Sequence, residues 1–477
     1  MLYIWGKMRY SFTCIKHKRL IIQVRSTRRE KMARKLFVLV LIMCSTTALI
    51  TCTNGGAGDG GEGLHMKLTH VDAKGNYTAE ELVRRAVAAG KQRLAFLDAA
   101  MAGGGDGGGV GAPVRWATLQ YVAEYLIGDP PQRAEALIDT GSDLVWTQCS
   151  TCLRKVCARQ ALPYYNSSAS STFAPVPCAA RICAANDDII HFCDLAAGCS
   201  VIAGYGAGVV AGTLGTEAFA FQSGTAELAF GCVTFTRIVQ GALHGASGLI
   251  GLGRGRLSLV SQTGATKFSY CLTPYFHNNG ATGHLFVGAS ASLGGHGDVM
   301  TTQFVKGPKG SPFYYLPLIG LTVGETRLPI PATVFDLREV APGLFSGGVI
   351  IDSGSPFTSL VHDAYDALAS ELAARLNGSL VAPPPDADDG ALCVARRDVG
   401  RVVPAVVFHF RGGADMAVPA ESYWAPVDKA AACMAIASAG PYRRQSVIGN
   451  YQQQNMRVLY DLANGDFSFQ PADCSAL

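Results

Sequence analysis

A chain of 477 residues is longer than one hydrophobic core comfortably holds, so two domains are expected. With 49% hydrophobic and 16% charged residues, 55 glycines and few long helical patterns, the composition excludes a disordered chain and favours many short strands and turns. The formal charge of +4 is unevenly placed: residues 1–114 carry 17 Lys+Arg against 8 Asp+Glu, which leaves 23 against 28 for residues 115–477. The body is therefore acidic, and a nucleic-acid partner is not expected.

Residues 1–31 hold nine Lys or Arg and one Glu, and then Met32 opens "MARKLFVLVLIMCSTTALI", two basic residues followed by a 15-residue, mostly apolar run from Leu36 to Ile50. That is the pattern of a signal peptide and is short for a membrane span, although a signal anchor is the competing reading. Residues 1–52 are accordingly read as an upstream extension plus signal peptide, with Met32 the natural start. Residues 53–114 are read as a pro-segment. Gly-rich stretches at 54–63 and 102–112 flank a basic stretch with helical spacing at Leu82, Val83, Ala86, Val87, Leu94 and Leu97.

The body divides into two halves, 115–305 and 306–477. The first opens with strand-like runs joined by Gly-Asp-Pro-Pro, passes through a cysteine-dense insertion at 149–199, and reaches a Gly-rich run and "GASGLIGLG" at 245–253. The second offers "FYYLPLIGLTVGETRL", "GGVIIDSGSPFTSL", a helix "VHDAYDALASELAARL" with Tyr365, Leu368, Ala369, Leu372 and Leu376 on one face, and "SVIGNYQQQNMRVLYD". The order repeats: strand pair, Asp-hydroxyl-Gly, apolar-apolar-Gly.

Alone, Asp139 in "LIDTGSDLVWTQC" reads as an ordinary hairpin turn. "VIIDSGS" at 349–355 repeats the arrangement around Asp352, which suggests a pair. Two carboxylates facing each other cannot both ionise cheaply, so one keeps a proton while the other acts as base. Such a pair activates a water and polarises a carbonyl, the requirements of amide cleavage. Thr140 and Ser353 after each Asp, and Ser142 and Ser355 three positions on, supply donors that orient the carboxylates, while Gly141 and Gly354 let the turns approach closely.

Three cysteines fall in or beside the targeting region, and twelve follow: Cys149, Cys152, Cys157, Cys178, Cys183, Cys193, Cys199, Cys232, Cys271, Cys393, Cys433 and Cys474. An even count behind a signal peptide implies up to six disulfides, with the pairing left open. Sequons at Asn166 and Asn377, and at Asn76 in the pro-segment, fit the same secretory route. No metal is expected, because "CSTC" has no second C-x-x-C or paired His. "GLGRGR" lacks the last Gly of a dinucleotide fingerprint, and no G-x-S-x-G elbow occurs. The C-terminal "FQPADCSAL" has neither a retention signal nor an anchor-exchange tail.

The chain resembles the pepsin-type aspartic endopeptidases, most closely the plant nepenthesin-like branch, through "LIDTGSDLVWTQC", "GLIGLGRG", "KFSYCL", "FYYLPLIGLTVG", "VIIDSGS", "VIGNYQQQNMRVLYD" and, in the pro-segment, "LTHVDAKGNYT". The resemblance implies a mainly β, bilobed acid-protease fold of two pseudo-twofold-related lobes with a central cleft and Asp139 and Asp352 at its floor. It places Tyr205 on a mobile hairpin flap, with the indole N–H of Trp146 supporting that tyrosine. It also implies the pairs Cys149–Cys152, Cys157–Cys232, Cys178–Cys199, Cys183–Cys193, Cys271–Cys474 and Cys393–Cys433.

The chain departs from the branch at Ala207 and Val209, where the flap usually carries Asp and Ser, at Ser355 (usually Thr), near Phe357 (usually Leu-like) and at Asp129 (usually Thr). The flap changes put substrate preference and turnover in question. The reading is of a secreted, acid-active endopeptidase made as a zymogen, monomeric, without cofactor or membrane anchor, acting on peptides or proteins in the apoplast or, alternatively, the vacuole. The competing reading is a non-catalytic binding protein on the same fold, of the cereal xylanase-inhibitor type, which the intact Asp-hydroxyl-Gly set disfavours.

Overall fold

The computed structural model describes residues 63–74, 77–78, 81–83, 120–152, 156–183, 189–194, 198–239, 242–276, 282–294, 297–384 and 391–477. The expected upstream extension, signal peptide, Gly-rich stretches and most of the basic helical stretch, of which only 81–83 are described, lie outside these residues, as does Asn76.

The strands that build the site are β1 (Leu64–His70), β2 (Tyr121–Ile127), β3 (Gln132–Asp139), β4 (Trp146–Gln148), β5 (Gly198–Tyr205), β6 (Gly208–Ala220), β7 (Thr225–Ile238), β8 (Gly248–Gly251), β9 (Lys267–Cys271), β10 (Gly283–Val287), β11 (Val349–Ile351), β12 (Ser446–Ile448), β13 (Met456–Asp461) and β14 (Asp466–Pro471). Gly-Asp-Pro-Pro turns β2 into β3, with Gly128 at φ +84° and the pairing running from Val122↔Leu137 to Ile127↔Gln132. Gly128 takes the left-handed conformation that such a turn needs at low steric cost.

One large sheet runs in the order Met300–Gln303, β14, β13, β9, β10, β1, β2, β3, β8, β4, β7, β6, β5 and Ile189–Asp194. It therefore mixes strands from both halves of the sequence, because β9 pairs with β13 from Lys267↔Asp461 to Cys271↔Arg457. It also takes in the segment ahead of the body: β1 lies between β10 and β2, with Met66 and Leu68 fully buried. The second half adds a five-stranded sheet around β11 and β12 and a four-stranded sheet around Leu318–Val323. The expected helix forms as α1 (His362–Arg375), which buries Ala364, Leu368 and Leu372 and packs on Leu318–Val323 and Ile436–Ser438.

Side chains of both halves share one core, in which Ile138, Leu252, Phe268, Tyr314, Ile351, Ile448 and Tyr460 meet. Phe268 stacks on Tyr460 at 4.3 Å between ring centroids, and Tyr314 meets Tyr460 edge-on at 4.8 Å. Burying each such side chain stabilises the fold by roughly 1.5–3 kcal/mol, which fixes the floor on which the candidate site stands.

All twelve body cysteines are paired, but four of the six pairs differ from the expectation. Cys271–Cys474 and Cys393–Cys433 stand as expected, the latter directly opposed across two strands. In the first half the bonds are Cys149–Cys232, Cys152–Cys157, Cys178–Cys193 and Cys183–Cys199. The reason for the first change is register: β4 runs parallel to β7 with Thr147 beside Cys232, so Cys149 comes within reach at a Cα separation of 5.4 Å. Cys152 is then left to close a short loop with Cys157. Burial sorts the other four, since Cys183 and Cys199 lie inside the same apolar cluster.

Candidate active site

Asp139 ends β3, whose last residues run parallel to β8 with Ile250 beside Ile138 and Gly251 beside Asp139. The Leu252 N–H donates to the Asp139 carbonyl at 2.8 Å and closes the loop. Asp352 follows β11 in the same manner. β11 runs parallel to β12 with Ile351 beside Ile448, and the Asp352 N–H donates to the Ile448 carbonyl at 3.0 Å. Each Asp thus follows a buried apolar strand clamped by a second one, which is why the sequence shows apolar-apolar-Asp and apolar-apolar-Gly twice.

The two carboxylates receive matching donors. The Gly141 N–H reaches Oδ1 of Asp139 at 3.0 Å and the Ser142 hydroxyl reaches Oδ2 at 2.5 Å. The Gly354 N–H reaches Oδ1 of Asp352 at 2.9 Å and the Ser355 hydroxyl reaches Oδ2 at 2.6 Å. Asp139 is 3% exposed and Asp352 fully buried, so these charge-assisted bonds form where water competes little.

Thr140 and Ser353 tie the two loops together. The Thr140 N–H donates to Oγ of Ser353 at 3.1 Å, and the Ser353 N–H donates to Oγ1 of Thr140 at 2.9 Å. Each hydroxyl also points at the carbonyl before the opposite Asp, Ile351 and Ile138 respectively, at 3.4 Å. Gly354 explains how closely the carboxylates approach. A Cβ there would collide with Oδ1 of Asp139 and lie 3.2 Å from Oδ1 of Asp352, so both oxygens border one small volume.

Tyr205 ends β5 opposite Gly208 on β6, half-buried at the tip of a hairpin with Ala207 and Val209 beside it. Trp146, fully buried on β4, lies beneath it at 6.1 Å between ring centroids. The expected support through the indole N–H is not what the structure shows. Among the described residues Nε1 of Trp146 finds no hydrogen-bond partner, and the two rings meet by packing. The two rings are tilted by 46° to each other, and Trp146 itself is held in the parallel pair of β4 with β7. Asn166 and Asn377 are both exposed, with Asn166 capping a short turn through Ser168. Among the described residues no group of three or more His, Cys, Asp or Glu is placed to hold a metal.

Residues 121–289 match a family model described as the N-terminal part of xylanase inhibitors, and residues 313–471 match its C-terminal counterpart. Aspartic proteinase nepenthesin-1 of Nepenthes gracilis is 36% identical over 417 residues, covering 87% of this chain and 91% of its own. Nepenthesin-2 of the same organism is 33% identical, covering 93% and 100%. The chain belongs to the nepenthesin-like aspartic proteases. Their pepsin-like bilobed fold is shared by solved structures at 17% identity: edgp, with a TM-score of 0.60 over 75% of this chain and 93% of that one, and basic 7S globulin from soybean, with 0.59 over 75% and 94%.

A second set of residues around the pair of this aspartic protease carried no role in the sequence reading. The amide of Asn450 donates to the Ser353 carbonyl at 2.9 Å, and Nε2 of Gln120 donates to the Gly354 carbonyl at 3.0 Å. Asp143, fully buried, accepts from the Gly255 N–H at 2.7 Å. The one signal for the Asn450 set was an unusually polar run, Asn450 to Asn455, at the end of an apolar strand.

Proposed function

We propose that Asp139 and Asp352 are the catalytic residues of an endopeptidase that hydrolyses peptide bonds through a water activated between them. The observation that carries this reading is their convergence on one volume under matching donor sets. Carboxylates this close favour a state in which one proton is shared. The ionised member takes a proton from water as the oxygen attacks the scissile carbonyl, and the protonated member donates to the carbonyl oxygen. A tetrahedral intermediate collapses with proton transfer to the leaving nitrogen. The apparent titrations belong to the pair and place the activity on the acid side.

Thr140, Gly141, Ser142, Ser353, Gly354 and Ser355 orient the pair, and Tyr205, packed on Trp146, covers bound peptide. The reading extends to a secreted glycoprotein zymogen carrying glycans on Asn166 and Asn377, acting as a monomer on extended peptides outside the cell or in the vacuole. The burial of β1 in the large sheet supports a structural part for the segment ahead of the body.

The test is cleavage of a denatured protein at about pH 3–5 by purified protein beside Asp139→Asn and Asp352→Asn. Activity in the wild type and loss in each single variant are expected. A correctly folded wild type as inert as both variants would refute the peptidase reading.

A further inference from the structure

Behind the Asp352 loop, three consecutive glutamines, Gln452, Gln453 and Gln454, are buried. A buried amide is costly unless both of its ends are satisfied, and each of these is bonded in a different direction. Gln452 accepts from the Thr358 N–H at 2.7 Å and donates to the Ser422 carbonyl at 2.9 Å, within the second half. Gln454 accepts from the Tyr275 N–H at 3.2 Å and donates to the Tyr121 hydroxyl at 3.0 Å, toward the first. Gln453 lies between them and turns to the candidate site.

Nε2 of Gln453 donates to the Ile448 carbonyl at 2.9 Å and approaches the Asp352 carbonyl at 3.5 Å. The Ile448 carbonyl is the same group that accepts the Asp352 N–H at 3.0 Å. Oε1 of Gln453 accepts from the Tyr270 hydroxyl, which in turn lies 2.9 Å from the Tyr460 hydroxyl. Burial pushes both phenols well above their ordinary range, so they remain neutral across any accessible pH. The Ile448 carbonyl can only accept, so it takes the NH2 end of the amide, and Oε1 is left to accept from the Tyr270 hydroxyl.

We propose that Gln453 is a positioning residue for Asp352. It holds the carbonyl from which the Asp352 main chain is suspended, with Tyr270 orienting it from β9. The inference rests on the reading of Asp352 as half of the catalytic pair. Because Gln453 acts on Asp352, its loss displaces one carboxylate relative to the other, which alters turnover before it alters peptide binding.

The test is steady-state cleavage of a peptide across pH by wild type, Gln453→Met, Gln453→Glu and Tyr270→Phe, with thermal unfolding followed in parallel. Gln453→Met is expected to lower kcat about ten- to a hundredfold, the cost of misplacing a reacting group by ~1 Å, with KM changed less than about twofold. Gln453→Glu separates positioning from packing. Its neutral carboxyl can still donate to Ile448 and accept from Tyr270, whereas its ionised form cannot donate. At this fully buried position desolvation keeps the introduced carboxyl neutral through the acid range, so the variant's activity should follow the wild type there and stay well above that of Gln453→Met.

Tyr270→Phe should lower kcat in the same direction, and it serves in place of Gln453→Met if the latter does not fold. Folded variants that match wild type across the pH range would overturn the proposal. So would equal losses in Gln453→Glu and Gln453→Met at every pH, which would leave only packing. If wild type cuts and the variants do not differ from it, the positioning role alone fails. If wild type cuts nothing, the peptidase reading fails and takes this inference with it.

Discussion

Thr140 and Ser353 exchange hydrogen bonds across the junction of the two halves, each main-chain N–H to the other's hydroxyl, at 3.1 and 2.9 Å. The exchange binds two loops that are 213 residues apart in sequence, and each loop carries one of the paired carboxylates.

Thr140→Val keeps the shape but removes the hydroxyl, leaving the Ser353 N–H and the Ile351 carbonyl short of a partner in a site closed to water. The expected destabilisation is about 1–3 kcal/mol. Ser353→Ala should cost a similar amount, and the double variant less than the sum, because the second change removes groups already orphaned by the first. Denaturant unfolding of the four proteins measures the coupling; strict additivity would show that the two residues act independently.

His65 on β1 and His284 on β10 touch through their ring nitrogens at 2.9 Å, and His65 stacks on Phe286. Both are held below the ordinary value of 6.5: His65 by burial, then by His284 and Lys67; His284 by burial, then by Lys67 and Arg457 against an opposing bond from the Leu477 backbone. A lowered value means that the docked strand resists protons which the released strand accepts. Docking of β1 is therefore strongest above 6.5 and weakens as pH falls below it. Hydrogen exchange on β1 amides, corrected for intrinsic rate, should show protection declining on acidification. His284→Leu should flatten that dependence, and an unchanged slope in the variant would assign it to other groups.

How much was legible in the sequence follows from how local each feature is. The Asp-hydroxyl-Gly turns, the Gly-Asp-Pro-Pro hairpin and the face of α1 are written within a few residues of themselves, and they appear where periodicity and turn chemistry place them. The large sheet was not legible, since it joins 64–70, 267–271, 283–287, 456–461 and 466–471 by pairings that no local pattern encodes. The same limit explains the cysteines: Cys149 meets Cys232 only because β4 and β7 run parallel in one register. Gln453 was visible only as one member of the polar run 450–455 that follows an apolar strand, and its partner Tyr270 lies on a distant strand.

The pairing of Cys149 with Cys232 makes a quantitative prediction. It closes a separation of 83 residues, against 5 for Cys152–Cys157. In the chain-entropy account the first bond is worth about 4–5 kcal/mol and the second about 2. The double variant Cys149→Ala/Cys232→Ala should therefore unfold at clearly lower denaturant than Cys152→Ala/Cys157→Ala. Peptide mapping without reduction should recover Cys149 linked to Cys232; a Cys149–Cys152 peptide would restore the original expectation.

Gly354 separates the needs of chemistry from those of folding. Its backbone is outside the left-handed region, so alanine meets no conformational penalty there, and the obstacle is the space between the carboxylates. A methyl group would collide with Oδ1 of Asp139 and crowd Oδ1 of Asp352, forcing the pair apart. Gly354→Ala should fold and keep its thermal transition within a few degrees while losing at least about a hundredfold in turnover, the scale on which ~1 Å of displacement acts. Circular dichroism on heating and cleavage at the acid optimum decide between the outcomes. Retained turnover would mean that the carboxylates do not need this proximity, whereas a collapsed transition would mean that Gly354 serves the fold first.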